Sequence, residues 1–167
     1  MSQNPLPAYS IDALIAQTRR LAAQFRAATG RPLPVSAEIA QYDASRLLEL
    51  DPVPCGTGGY DAIGRGARAG RRIQIKGRVV PTEGGAAHRI GQLKLDQAWD
   101  TLMLVLMDEQ FEPCYIYEAE RATIEAWLNG SQGRRRNKRG AMSVARFKNI
   151  ARLAWSRECG SDGRSAR

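Results

Sequence analysis

The chain has 167 residues, 43% of them hydrophobic and 25% charged, with a formal net charge of +8; length and balance suit one globular domain with its own core. Three widely spaced cysteines (Cys55, Cys114, Cys159) without a Cys-X-X-Cys argue against a disulfide framework or a zinc site and fit a reducing, cytoplasmic setting. No basic segment followed by an apolar run opens the chain, and the longest apolar stretch, Leu102 to Met107, is far shorter than a membrane span, so no membrane partner is expected.

Ser10 to Thr29 places Ile11, Leu14, Ile15, Leu21, Ala22 and Phe25 at helical spacings, with Ser10 as N-cap and Gly30 as stop. Pro32 and Pro34 break the chain, and Ser36 to Leu50 reads as a second helix ended by Pro52 and Pro54. The period then changes. A short apolar run at Tyr60 to Ile63, a turn from Gly64 to Gly70 and an alternating segment from Arg71 to Val80 predict strand, turn and strand. Pro81 to Leu93, with Gly84, Gly85 and Gly91, reads as a loop able to close over a cleft. Thr101 to Met107 predicts a strand buried on both faces, Asp108 to Pro113 a hairpin connection, and Cys114 to Tyr117 a further strand. A helix over Glu120 to Leu128, closed by Asn129-Gly130, leads to a polar linker, and Ser143 to Trp155 returns to helical periodicity.

The positive charge is unevenly placed. Residues 1 to 129 carry 14 Lys/Arg against 15 Asp/Glu, whereas residues 130 to 167 carry 11 against 2. A second basic concentration, Arg65, Arg68, Arg71, Arg72, Lys76, Arg78, Arg89 and Lys94, falls within residues 62 to 94, where Glu83 is the one acid. Both regions fit a polyanion, with DNA the expected partner; the plain alternative is that basic tails and hairpins only solubilise.

The chemistry rests on Asp61, in Gly58-Gly59-Tyr60-Asp61, and on Gln74-Ile75-Lys76 in the next strand. Hydrolysis of a phosphodiester calls for a metal that neutralises developing charge and lowers the pKa of an attacking water. Magnesium or manganese takes oxygen ligands, and a single carboxylate suffices when water and substrate phosphate fill the other positions. On neighbouring antiparallel strands, Asp61, the side-chain carbonyl of Gln74 and the backbone carbonyl of Ile75 can reach one ion. Lys76, two residues after Gln74, projects to the same face and can hold the nucleophilic water. Glu38, in the first turn of the second helix, adds a carboxylate, although acids are favoured there by the helix dipole alone. Asp61 can equally be a turn former, and Lys76 with Arg78 a solvated strand face. His88, in the loop, offers a minor alternative as base. Asp96 and Asp100, four apart, can make a second metal site on a helix face, although surface carboxylates at that spacing are routine. Trp99, Trp127 and Trp155 read as packing residues.

Over roughly residues 36 to 107, Glu38, Gly59-Tyr60-Asp61 and Gln74-Ile75-Lys76 resemble the PD-(D/E)XK nuclease superfamily, in particular its Mrr-type restriction endonuclease branch, where Gln-X-Lys replaces Glu-X-Lys. The whole chain also resembles a bacterial family of small proteins with this layout and no assigned activity. The resemblance implies an α/β restriction-endonuclease-like core, a mixed four-stranded sheet flanked by helices, with extra N- and C-terminal helices. It implies one nuclease-like domain over 1–158: an N-terminal helix within 10–35, a core over 36–129, a basic linker over 131–140 and a C-terminal helix over 141–158, followed by a disordered tail. It makes Asp61 and Gln74 metal-site residues, Lys76 the group on the attacking water and Glu38 an accessory ligand. Two departures stand out: neutral Gln74 removes a charge from the site, and a hairpin replaces the helix that the common core has between its third and fourth strands.

The expected activity is therefore a magnesium- or manganese-dependent DNA endonuclease in restriction, defence or DNA processing; a homodimer is compatible with cutting both strands. Arg71, Arg72, Arg78, Arg134, Arg135, Arg136, Lys138, Arg139 and Lys148 are the expected backbone-phosphate contacts. The alternative is a catalytically inactive DNA-binding or accessory protein on the same fold.

Overall fold

The computed structural model describes residues 10–54, 56–80, 88–130 and 141–157, and in it Ser10 caps α1 (Ile11–Thr29), its hydroxyl accepting from the Ala13 amide. Gly30, in the left-handed region at φ 69°, closes that helix by donating to the Arg26 carbonyl. The second helix, α2 (Ser36–Leu47), ends three residues before the predicted Leu50. Glu49 takes a positive φ of 54° there, which turns the chain out of the helix and lets Leu50, otherwise the helix's next apolar residue, start an edge strand, β1 (Leu50–Pro52).

Two further strands follow as expected: β2 (Ala62–Gly64), starting two residues and ending one residue later than the predicted run, and β3 (Arg72–Val79). Between them the turn holds one 3-10 turn at Gly66–Arg68. The predicted loop contains β4 (Arg89–Gln92), where Ile90 is fully buried; residues 81–87 lie outside the described residues. β5 (Thr101–Met107) is buried at all seven positions, as its continuous apolar run requires. It joins β6 (Pro113–Glu120), longer than the predicted 114–117, through the expected hairpin, and α3 (Arg121–Asn129) follows.

The expected C-terminal helix is the largest correction. Its sequence forms a short strand, β7 (Ala141–Ser143), a seven-residue helix, α4 (Val144–Ile150), and a strand, β8 (Arg152–Ser156). Helical spacing holds from Val144 to Ile150, but Ala151 is extended and the following residues pair antiparallel with β6, placing Trp155 opposite Ile116. Tertiary pairing overrides local periodicity at this edge, and β8 covers backbone groups that β6 would otherwise leave open.

The result is a mixed α/β architecture with a six-stranded, mostly antiparallel sheet ordered β1-β2-β3-β5-β6-β8, not a four-stranded one. Only β3 and β5 run parallel, with Gln74 beside Leu102 and Lys76 beside Leu104. Strand alternation divides the core: Met103, Val105 and Met107 join Ile39, Ala40 and Ala44 of α2, whereas Leu102, Leu104 and Leu106 join Ile90, Trp99, Ile124, Met142 and Phe147 on the opposite face. The pair β4–β7 forms a separate two-stranded ladder on that second face.

Gly77 fixes how closely α2 lies on β3. A Cβ there would run into the Ser36 carbonyl and come within 2.6 Å of the Ala40 methyl. Gly77→Ala is therefore expected to destabilise the protein by about 1–3 kcal/mol through overpacking, measured as a shift in the urea unfolding midpoint at unchanged slope.

Candidate functional site

β2 pairs with β3 at only two positions, Ala62 with Ile73 and Ile63 with Arg72. Beyond them the edge of β3 has no strand partner on that side, and Asp61 takes over. Its amide donates to the Ile73 carbonyl at 2.8 Å, and its Oδ2 accepts from the Ile75 amide at 2.7 Å. Strand geometry sends the Ile75 carbonyl out on the same side as its amide, toward Asp61. The second carboxylate oxygen, Oδ1, accepts from Gln41 Nε2 at 3.0 Å.

These groups line a cleft of about 500 Å³ between α2, the glycine-rich turn before Asp61, β3 and β4. Gln74 is buried at 4% exposure; its Nε2 donates to the Gly59 carbonyl at 3.0 Å, and its Oε1 has no hydrogen-bond partner among the described residues. Gly59 sits at φ 94°, and a Cβ there would overlap Gln97, another lining residue, so this close approach requires glycine. Burial pushes the Asp61 carboxyl above its usual range, against the Ile75 amide and the Lys76 charge. Burial also pushes the Lys76 ammonium down, an effect that Asp61 opposes and Arg78 and Lys94 reinforce. Among the described residues the cleft thus holds one carboxylate and three cations, Lys76, Arg78 and Lys94.

Of the four expected catalytic residues, Asp61, Gln74 and Lys76 come together here. Glu38 does not: it is exposed on the first turn of α2 and lies outside the cleft lining. Ala37 and Gln41, four apart on the same helix, face the cleft instead. Gln41 escaped sequence reasoning because an amide in a helix carries no charge signal; its polar side chain on a face otherwise turned to the core was the available clue.

The expected phosphate contacts divide. Arg72 is held by Asp100, with Nε and Nη2 donating at 3.0 and 2.8 Å and its amide at 2.9 Å; Arg71 pairs with Glu120 at 3.0 Å. Arg78 lines the cleft, half-buried, donating to the Arg89 and Gly77 carbonyls at 2.7 and 2.6 Å. Lys148 is exposed on α4, its Nζ 5.4 Å from the centre of the Tyr117 ring. Arg134, Arg135, Arg136, Lys138 and Arg139 lie outside the described residues. Asp100 is no partner for Asp96: no helix forms there, and Arg72 occupies its carboxylate. His88 lines a neighbouring cleft that shares only Arg78 with the first. Trp99 is buried, while Trp127 and Trp155 pack against the core clusters, Trp155 from β8 and not from a helix.

A hard divalent cation would fit the oxygens gathered here: the Asp61 carboxylate, the Ile75 carbonyl and the partnerless buried Gln74 Oε1. Among the described residues no group of three or more His, Cys, Asp and Glu side chains could hold a metal, so water and substrate phosphate would complete the shell. No protein-family model matches the chain, and no curated protein matches it in sequence.

Arg72 depresses the Asp100 pKa from 3.8 to about 2, first through the side-chain hydrogen bond. A carboxylate with a lowered folded-state pKa stabilises above its unfolded value, and this contribution is lost as pH falls from about 4 to about 2. Solvent screening at this partly exposed pair limits it to about 1 kcal/mol. Asp100→Asn is expected to cost that amount at neutral pH and progressively less as pH falls through about 2, read from chemical unfolding across the range.

Proposed function

We propose that the chain is a metal-dependent DNA endonuclease built on a restriction-endonuclease-like core. The observation that carries this reading is the convergence of Asp61, Gln74 and Lys76 in one cleft at the open edge of β3, with the Gln74 Oε1 buried and unpartnered. The arrangement of helix, edge strand, β3 and buried β5 also supports it, although β5 runs directly into a hairpin.

In this reading Asp61, Gln74 Oε1 and the Ile75 carbonyl hold magnesium or manganese, which when bound supplies charge neutralisation and an acidified water. Gln41 and the Ile75 amide orient the Asp61 carboxylate. Lys76, its pKa lowered by burial, orients the attacking water and exchanges a proton at Nζ. Arg78 and Lys94 receive the phosphate backbone beside the scissile bond.

One observation favours a second reading, a nuclease fold that binds DNA without cutting it: among the described residues the cleft has a single carboxylate, and both its oxygens already accept hydrogen bonds. Incubating the protein with plasmid, single-stranded DNA and RNA, in magnesium, manganese or chelator, separates the two. The nuclease reading expects metal-dependent cleavage of DNA, lowered by about 10²-fold or more in Lys76→Ala and abolished in Asp61→Ala, with salt-dependent DNA binding retained in both. Binding without cleavage on every substrate would establish the second reading.

A further inference from the structure

Among the described residues five large hydrophobic side chains are exposed, and four of them, Ile11, Leu14, Leu21 and Phe25, belong to α1, at 65, 42, 60 and 38% exposure. With half-buried Thr18 they occupy positions 11, 14, 18, 21 and 25, the alternating steps of four and three that make a two-heptad seam. The seam lies beside the face that α1 turns to the domain, where Arg19 and Ala22 are buried. Ala22 is the one α1 residue in the adjoining core cluster, so among the described residues these four side chains belong to no core.

Two properties identify what covers them. At 100° per residue, the solvent-side flank of the seam carries Gln17, Gln24 and Ala28, with Arg20 turned further away. The excess of Lys and Arg lies in residues 130 to 167, whereas residues 1 to 129 carry 14 against 15 Asp/Glu, so two copies can meet through this uncharged strip without setting like charges against each other. The large residues are also disposed about the middle of the helix, two on each side of Thr18. An antiparallel copy therefore brings Leu21 and Phe25 of one helix against Leu14 and Ile11 of the other and opposes the two helix dipoles. We propose that α1 docks on α1 of a second copy of this chain in an antiparallel, two-fold pair. Such a pair is isologous, so the same strip serves both sides and the assembly closes as a dimer. The inference does not rest on the cleft reading.

Sedimentation of the full chain across micromolar concentrations tests it. A reversible monomer–dimer equilibrium is expected, weakened at least tenfold in the double variant Leu14→Glu, Leu21→Glu, whose circular dichroism and melting temperature as a monomer should match the wild type. With Cys55, Cys114 and Cys159 replaced by Ser, Thr18→Cys should crosslink through a short bismaleimide and Ala28→Cys should not. A monomeric wild type, or a dimer that the double variant leaves intact, would overturn the proposal. Crosslinking at position 28 would overturn the antiparallel arrangement. Two findings would overturn the proposal and reassign the strip: a double variant that melts lower than a monomeric wild type points to cover from the chain's own segments, and binding of a monomeric wild type to anionic lipid vesicles that the double variant loses points to a membrane surface.

Discussion

The short pairing of β2 with β3 is the constraint on which the cleft depends. Two rungs of ladder leave the rest of β3 without a strand on that side, and buried backbone amides must find acceptors. The Asp61 carboxylate supplies the next acceptor, standing where a strand carbonyl would stand. That substitution puts an ionisable oxygen in a half-buried position, and the same burial acts on Lys76 from the adjacent residue. The local need to finish a hydrogen-bond ladder and the gathering of chemically useful groups are thus one event in the fold.

Net positive charge proves a poor guide to free positive charge. Arg68 donates to the buried Glu118, which Arg152 also approaches; Arg72 is fixed by Asp100; Arg121 reaches Glu125 and backbone carbonyls; buried Arg19 pairs with Asp43 and bonds the Phe111 carbonyl. These arginines tie loops and helices to the sheet and satisfy acids that would be costly to bury alone. Among the described residues no carboxylate clamps the cations in the cleft in this way. Lys76, Arg78 and Lys94 face it together, and both Lys76 and Arg78 have their pKa values lowered by desolvation.

What could be read in advance follows physical range. α1 declared itself through its cap residues and stop glycine, β5 through an unbroken apolar run, and the grouping of Asp61 with Gln74 and Lys76 through their chain-local spacing, just before β2 and within the neighbouring β3. Features set by distant partners were hidden. β8 looks helical until β6 offers it an edge, β1 emerges only because Glu49 turns the chain, and Arg72 looks free until Asp100 is brought beside it. Gln41 belongs to the same class, since its role comes from the packing of α2 over the open edge of β3, not from its own helix.

The position of β8 bears on the order of folding. Its partner β6 lies more than thirty residues earlier, so β6 is made well before the strand that covers it. During synthesis the apolar hairpin β5–β6 therefore waits with one side open, a period in which it can pair with another nascent chain. Glu118 of β6 lies on that late-closing seam, opposite Arg152 of β8. Its charge disfavours an arbitrary strand while β8 is awaited, and the Arg152–Glu118 pair then helps fix the register in which β8 arrives.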